Sequence, residues 1–171
     1  MTKDELLDKA EKIACDYELK YHGCAQMVLA PFRKIFGKKV ITDKVFRAAS
    51  GLCGGVACSG HVCGAVSGGM MVIGLFRGRD YNNIRNPKKM MASLELGKPL
   101  LEKMEREFGS IDCHSIQEKY TGMHYDCWSE EDQRLVVENN LHDVCSKVVG
   151  KAARWTMEIL IDKGLVNPAD Y

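Results

Sequence analysis

Cys53, Cys58 and Cys63 recur at every fifth position inside the glycine-rich stretch Gly51 to Gly69, GLCGGVACSGHVCGAVSGG. Thiols this dense suit metal ligation or redox chemistry, and the glycines between them let the backbone turn tightly or approach a bound group. Cysteines left free can also serve as small buried hydrophobes. The chain holds eight cysteines in 171 residues: Cys15, Cys24, Cys53, Cys58, Cys63, Cys113, Cys127 and Cys145. No two are separated by only two residues, which removes the C-x-x-C redox motif, the C-x-x-C-H haem site and the common zinc ribbons. Cys53 and Cys58 match the opening C-x4-C of a plant-type ferredoxin, but Cys63 follows at the wrong interval.

Helical periodicity positions these thiols. Leu6, Leu7, Ala10, Ile13, Ala14 and Tyr17 define an amphipathic first helix over Lys3–Tyr21, with Cys15 on or beside its apolar stripe. A second helix runs from Cys24 through Phe36, bent or restarted at Pro31 and stopped by Gly37. Thr42-Asp43 caps a third, Lys44 to about Ser50. Val62 to Leu75 reads as a buried helix. Gly60, Gly64 and Gly68 stand four residues apart and give one face without bulk, open to a neighbouring helix or to a cofactor.

Pro87 opens a further helix, with a kink or break expected at Gly97 and Pro99. Gly109 ends it, and Ser110 or Asp112 caps a short helix containing Cys113. Tyr120 to Glu130 reads as a loop. Leu135, Leu141, Val144, Cys145, Val148, Val149, Ala152, Trp155, Ile159 and Leu160 share one face of a long last helix, with Cys145 turned inward. No segment alternates like a strand, so the prediction is an all-α bundle, one domain over residues 1–171.

Cys24, Cys63 and Cys113 each fall in or just before a first helical turn. Free N–H groups and the dipole there favour the thiolate. His22, His61 and His114 lie within two residues of that set, in a chain with an ordinary five histidines. The methionines read as core filler. No nucleotide-binding P-loop, serine elbow or H-E-x-x-H site occurs.

With 24 basic and 23 acidic residues the net charge is +1, which gives no sign of a nucleic-acid partner. The run Val62–Phe76 is too short and too rich in glycine for membrane insertion, so a soluble chain is expected. MTKDELLDKAEK lacks the apolar core of a secretory signal, which places the chain in the cytoplasm. In that reducing compartment eight thiols point to metal or redox chemistry rather than to a disulfide framework. The apolar surface of Val62–Phe76, if shared between chains, predicts a homodimer.

Cys63 to Gly68 spells C-G-A-x-x-G, with Gly23-Cys24 before it and Cys113 and Cys145 after it. This order resembles the C_GCAxxG_C_C family of redox-active proteins, a module also found with the split-Soret cytochromes c, over roughly Tyr21 to Ala153. The resemblance implies that Cys24, Cys63, Cys113 and Cys145 are the functional cysteines, and its cytochrome relatives imply an iron–sulfur centre. Haem does not carry over, because the C-x-x-C-H site is missing. Cys15, Cys53, Cys58 and Cys127 are additions to the pattern, and Cys58 is the readiest substitute ligand. The leading expectation is electron transfer to a redox partner protein through a [2Fe–2S] or [4Fe–4S] cluster on those four thiolates. The alternatives are a cofactor-free thiol–disulfide oxidoreductase with Cys63 as attacking thiol, and a structural zinc protein.

Overall fold

The computed structural model describes residues 1–171 as eight α-helices with no strand. The first, α1 (Lys3–Tyr21), opens with a capping box in which Glu5 N–H donates to Thr2 Oγ1 at 3.2 Å and Thr2 N–H to Glu5 Oε2 at 2.8 Å. It lies against the last helix, α8 (Leu141–Asp162). Contacts between them pair Lys3 with Asp162, Arg154 with Asp8 and Glu11, and Cys15 with Ser146, so the two run antiparallel. Leu6, Ala10, Ala14, Val149, Ala152 and Ala153 are wholly buried in the same core. Small residues on both helices let the backbones approach.

The second helix, α2 (Cys24–Phe36), is entered through Gly23 at φ 97° and left through Gly37 at φ 81°, a left-handed region that favours glycine at both ends. It continues through Pro31, whose missing N–H costs only one internal bond. Thr42 caps α3 (Asp43–Ala48), its Oγ1 accepting from Val45 N–H at 3.2 Å. A single 3-10 turn, Ser50–Leu52, then leads into the glycine-rich loop.

That loop delivers the chain to α4 (Gly64–Arg77), which packs between α2, α5 (Pro87–Phe108) and α8. The glycine face, open on sequence to a neighbouring helix or to a cofactor, is filled by protein at Gly64 and Gly68. A Cβ on Gly64 would strike Cys24 Sγ, and one on Gly68 would lie 2.5 Å from the carbonyl oxygen of Ala25. Gly60 lies outside the helix, where the His114 ring covers it. The close approach was correctly read, but α2 occupies it, so this face is covered within one chain.

Two expectations about helix ends are corrected. α5 is one helix through Gly97 and Pro99 rather than two shorter ones, with Gly97 letting Met70 of α4 approach and the buried Leu100 and Met104 holding the following turns in the core. The long last run is two helices, α7 (Glu130–Glu138) and α8, separated at Asn139-Asn140. Asn140 takes φ 54°, a conformation that asparagine tolerates better than most residues. Between α5 and α7 the short α6 (Cys113–Thr121) closes on Gly122 at φ 81°. No helix is long and apolar enough to cross a membrane.

The α2–α4 contact predicts a contrast between two glycines of one helix. Gly68→Ala forces a methyl into the Ala25 backbone and should cost about 1–3 kcal/mol, lowering Tm by several degrees. Gly74→Ala, with open space around the added methyl, should leave Tm unchanged or slightly raised. Thermal unfolding followed by circular dichroism reads both.

Candidate functional site

Cys63 and Cys113 are brought together by the one stretch of extended backbone pairing in the molecule, an antiparallel bridge between Val62 and Asp112. Cys63 N–H donates to Ile111 O at 2.8 Å, and Cys113 N–H to His61 O at 2.7 Å. Side chains alternate along extended backbone, so both cysteines share the face opposite Val62 and Asp112. Each then begins a helix, Cys63 as N-cap of α4 and Cys113 as first residue of α6. Cys24 joins them through the tight α2–α4 packing at Gly64. Cys145 arrives from the second turn of α8.

These four line a single cavity of about 500 Å³. Cys53, Cys58 and Cys127 line it too, so seven of the eight cysteines face one space. Much of the remaining wall is apolar, with Ile116, Val136, Leu141, Val148 and Val149 among its residues. Gly23 and Gly54 border the cavity, whereas Gly60, Gly64 and Gly68 do not. Cys15 lies elsewhere: its S–H donates to Ser146 O at 3.3 Å in the α1–α8 seam. Gln117 braces the wall, donating from Nε2 to Cys113 Sγ at 3.5 Å and accepting from Tyr125 N–H at 3.2 Å.

Cys58 and Cys127 form a disulfide, and the other six cysteines are free thiols. Cys58 is therefore not a free thiolate ready to replace a member of the family set. The pairing had no signal in the sequence, since 69 residues separate the partners.

The helix-start thiols do not behave as their positions alone suggest. Burial pushes Cys63 up to about 11, although the N–H groups of Ala65 and Val66 pull the other way. Burial likewise lifts Cys113 to about 12, with the neighbouring Cys63 adding to it. Cys145 is raised by burial first and Cys63 second. Cys24 is raised because its S–H is held by Cys53, and burial adds to that. Cys53 is the exception: the Cys24 S–H and the Ala25 and Gln26 N–H groups at the α2 N-terminus hold it down at about 6. The thiol that ionises most easily is thus Cys53 rather than Cys63.

Glu18, 4% exposed, also borders the cavity, and its Oε2 has no hydrogen-bond partner. Burial, and secondarily the charge on Cys53, raises its carboxyl to about 7. The site therefore gathers one orphaned carboxyl and four thiols whose ionisation is costly in an apolar setting. A positively charged group in the cavity would reverse that cost, since nearby positive charge favours thiolate and carboxylate. The donor set fits an iron–sulfur cluster in kind and number. No three Cys, His, Asp or Glu side chains are grouped closely enough to hold a single metal ion.

An all-α chain that turns seven cysteines toward one cavity is a thiol-based helical protein built around that cavity. Residues 22–159 match the family described as "Putative redox-active protein (C_GCAxxG_C_C)", and the chain belongs to this family. Its role is accordingly redox. Comparison with curated proteins and with solved structures gave no match.

Two outcomes follow from the charges. In metal-stripped, reduced protein the Glu18 contribution is fully present below its ordinary value near 4.5 and is lost as pH rises through about 7, where an unpartnered carboxylate must form. Glu18→Gln should therefore raise stability at pH 8 by on the order of 3 kcal/mol and change little at pH 4.5, read from Tm at both. In the same protein, alkylation at pH 6.5 followed by peptide mapping should label Cys53 first, and preferential labelling of Cys63 would contradict the geometry.

Proposed function

We propose that this protein transfers electrons through an iron–sulfur cluster held by Cys24, Cys63, Cys113 and Cys145. The observation that carries this reading is the convergence on one cavity of four thiols from four separate helices, three at helix starts and Cys145 in the second turn of α8, in the order of the family pattern. Four thiolates suffice for a [2Fe–2S] or a [4Fe–4S] cluster, which when bound supplies one-electron uptake and release. Because iron in such a cluster is also ligated by sulfide, no three protein donors need to meet at one point. A lone zinc ion lacks that help and would need its protein donors to meet at one point.

The chain's own groups have distinct tasks. The nearby Ala65 and Val66 N–H groups favour negative charge on the Cys63 sulfur. Gln117 fixes Cys113 Sγ. Glu18 Oε2 is free to take up the proton that balances an arriving electron. The apolar wall leaves Cys63 and Cys113 buried from water.

A second reading, cofactor-free thiol–disulfide exchange, is favoured by the low-lying Cys53 in contact with Cys24, which makes Cys53 rather than Cys63 its attacking thiol. The two readings separate on colour. Protein purified without oxygen should be brown and contain iron and acid-labile sulfide, and Cys63→Ser should abolish the visible absorption because a hydroxyl replaces a thiolate poorly on iron. Cys15→Ser should keep it, since Cys15 lies outside the cavity. Absorption that survives Cys63→Ser would remove Cys63 from the ligand set.

A further inference from the structure

We propose that the Cys58–Cys127 cystine is a second redox centre, a two-electron site that exchanges reversibly with a vicinal dithiol. Both cysteines sit on loops, Cys58 between the 3-10 turn and α4 and Cys127 between α6 and α7. Both are half-buried and line the cavity, which leaves the bond partly open to an external thiol. Disulfides exposed to attack in this way are the ones that exchange, whereas a structural cross-link sits out of reach.

Each loop is held without the bond. On one side Ala57 N–H donates to Gly51 O at 2.9 Å, Cys58 N–H to Cys53 O at 3.1 Å and Gly60 N–H to Gly54 O at 3.0 Å. These bonds fold residues 54–58 into a left-handed run in which Val56, Ala57 and Cys58 all take positive φ. Non-glycine residues persist there only where their surroundings over-determine them. On the other side Asp126 N–H donates to Asp132 Oδ2 at 2.7 Å, Trp128 N–H to Asp126 Oδ1 at 2.9 Å and Gln133 Nε2 to Cys127 O at 2.9 Å. Two sulfurs positioned by their own loops stay in register when the bond opens, so it can close again between the same partners.

The exchange balances with a dithiol as reductant. A thiolate of the dithiol attacks one sulfur of the cystine, forming a mixed disulfide and releasing the other cysteine, which takes a proton. The second thiol of the reductant then displaces the first cysteine. The dithiol leaves as a disulfide, and Cys58 and Cys127 remain as two thiols carrying the two electrons and two protons. Nothing in this step draws on the proposed cluster, so the two can fail separately.

Dithiothreitol added to the native protein, followed by acid quench, alkylation and peptide mapping, tests the proposal. The free thiols should rise from the six of the oxidised chain to eight, with Cys58 and Cys127 appearing together. Oxidised dithiothreitol should restore the same pair while circular dichroism shows an unchanged fold. A cystine that resists dithiothreitol until denaturant is added, or thiols that re-pair with other cysteines, would overturn the proposal. The Cys58→Ser/Cys127→Ser double variant should show no dithiothreitol-dependent change in thiol number and should keep the iron and sulfide of the parent. Loss of iron in that variant, if it folds, would show that the pair is not independent of the cavity thiols and would overturn it as a separate centre. A colourless, iron-free parent that still cycles between six and eight thiols would remove the cluster and leave this site intact.

Discussion

The backbone pairing of Val62 with Asp112 is the join on which the cavity depends. Without it α4 and α6 would begin apart, and Cys63 and Cys113 would have no reason to face the same space. The pairing is short but strongly seated, because its ends are helix starts whose N–H groups would otherwise lack partners. His114 N–H continues it with a bond to Gly60 O at 3.0 Å, under the ring that covers that glycine. Around this join the α1–α8 and α2–α4 packings act as a frame, and they bring in Cys145 and Cys24 from opposite ends of the sequence.

Crowding thiols in an apolar wall has an electrostatic consequence. Each sulfur that could ionise is disfavoured by burial or by its neighbours, and only Cys53 escapes, because the Cys24 S–H and the N–H groups at the start of α2 favour its thiolate. Helix-start position lowers a thiol's pKa when the sulfur keeps access to water. Once the sulfur is buried, desolvation outweighs the few hydrogen bonds a helix terminus supplies, as Cys63 illustrates. The same balance leaves Glu18 poised near neutrality without a partner.

Much of the frame was legible in the residues. Apolar spacing and caps marked α1, α2 and α3 nearly to their ends, and the inward direction of Cys145 followed from its valine neighbours. The family pattern singled out the four cysteines that share the cavity. Other features left no mark. Val56, Ala57 and Cys58 carry no signal for left-handed backbone, a conformation that hydrogen bonds to Gly51 and Cys53 impose from outside. The Val62–Asp112 pairing is too brief to produce an alternating run. Glycines four apart reveal that something comes close but not what, and α2 rather than a ligand lies there. The Cys58–Cys127 pairing depends on loop positions that only the folded chain defines.

The central claim is that Cys24, Cys63, Cys113 and Cys145 make this cavity an iron–sulfur site. Mössbauer spectroscopy of protein produced and kept without oxygen, from cells grown on enriched iron, addresses the chemistry of the site directly. A bound cluster predicts protein-associated iron in a tetrahedral, all-sulfur environment, with a spectrum that changes on one-electron reduction. An absence of protein-bound iron, or iron in a six-coordinate oxygen and nitrogen environment, would contradict it.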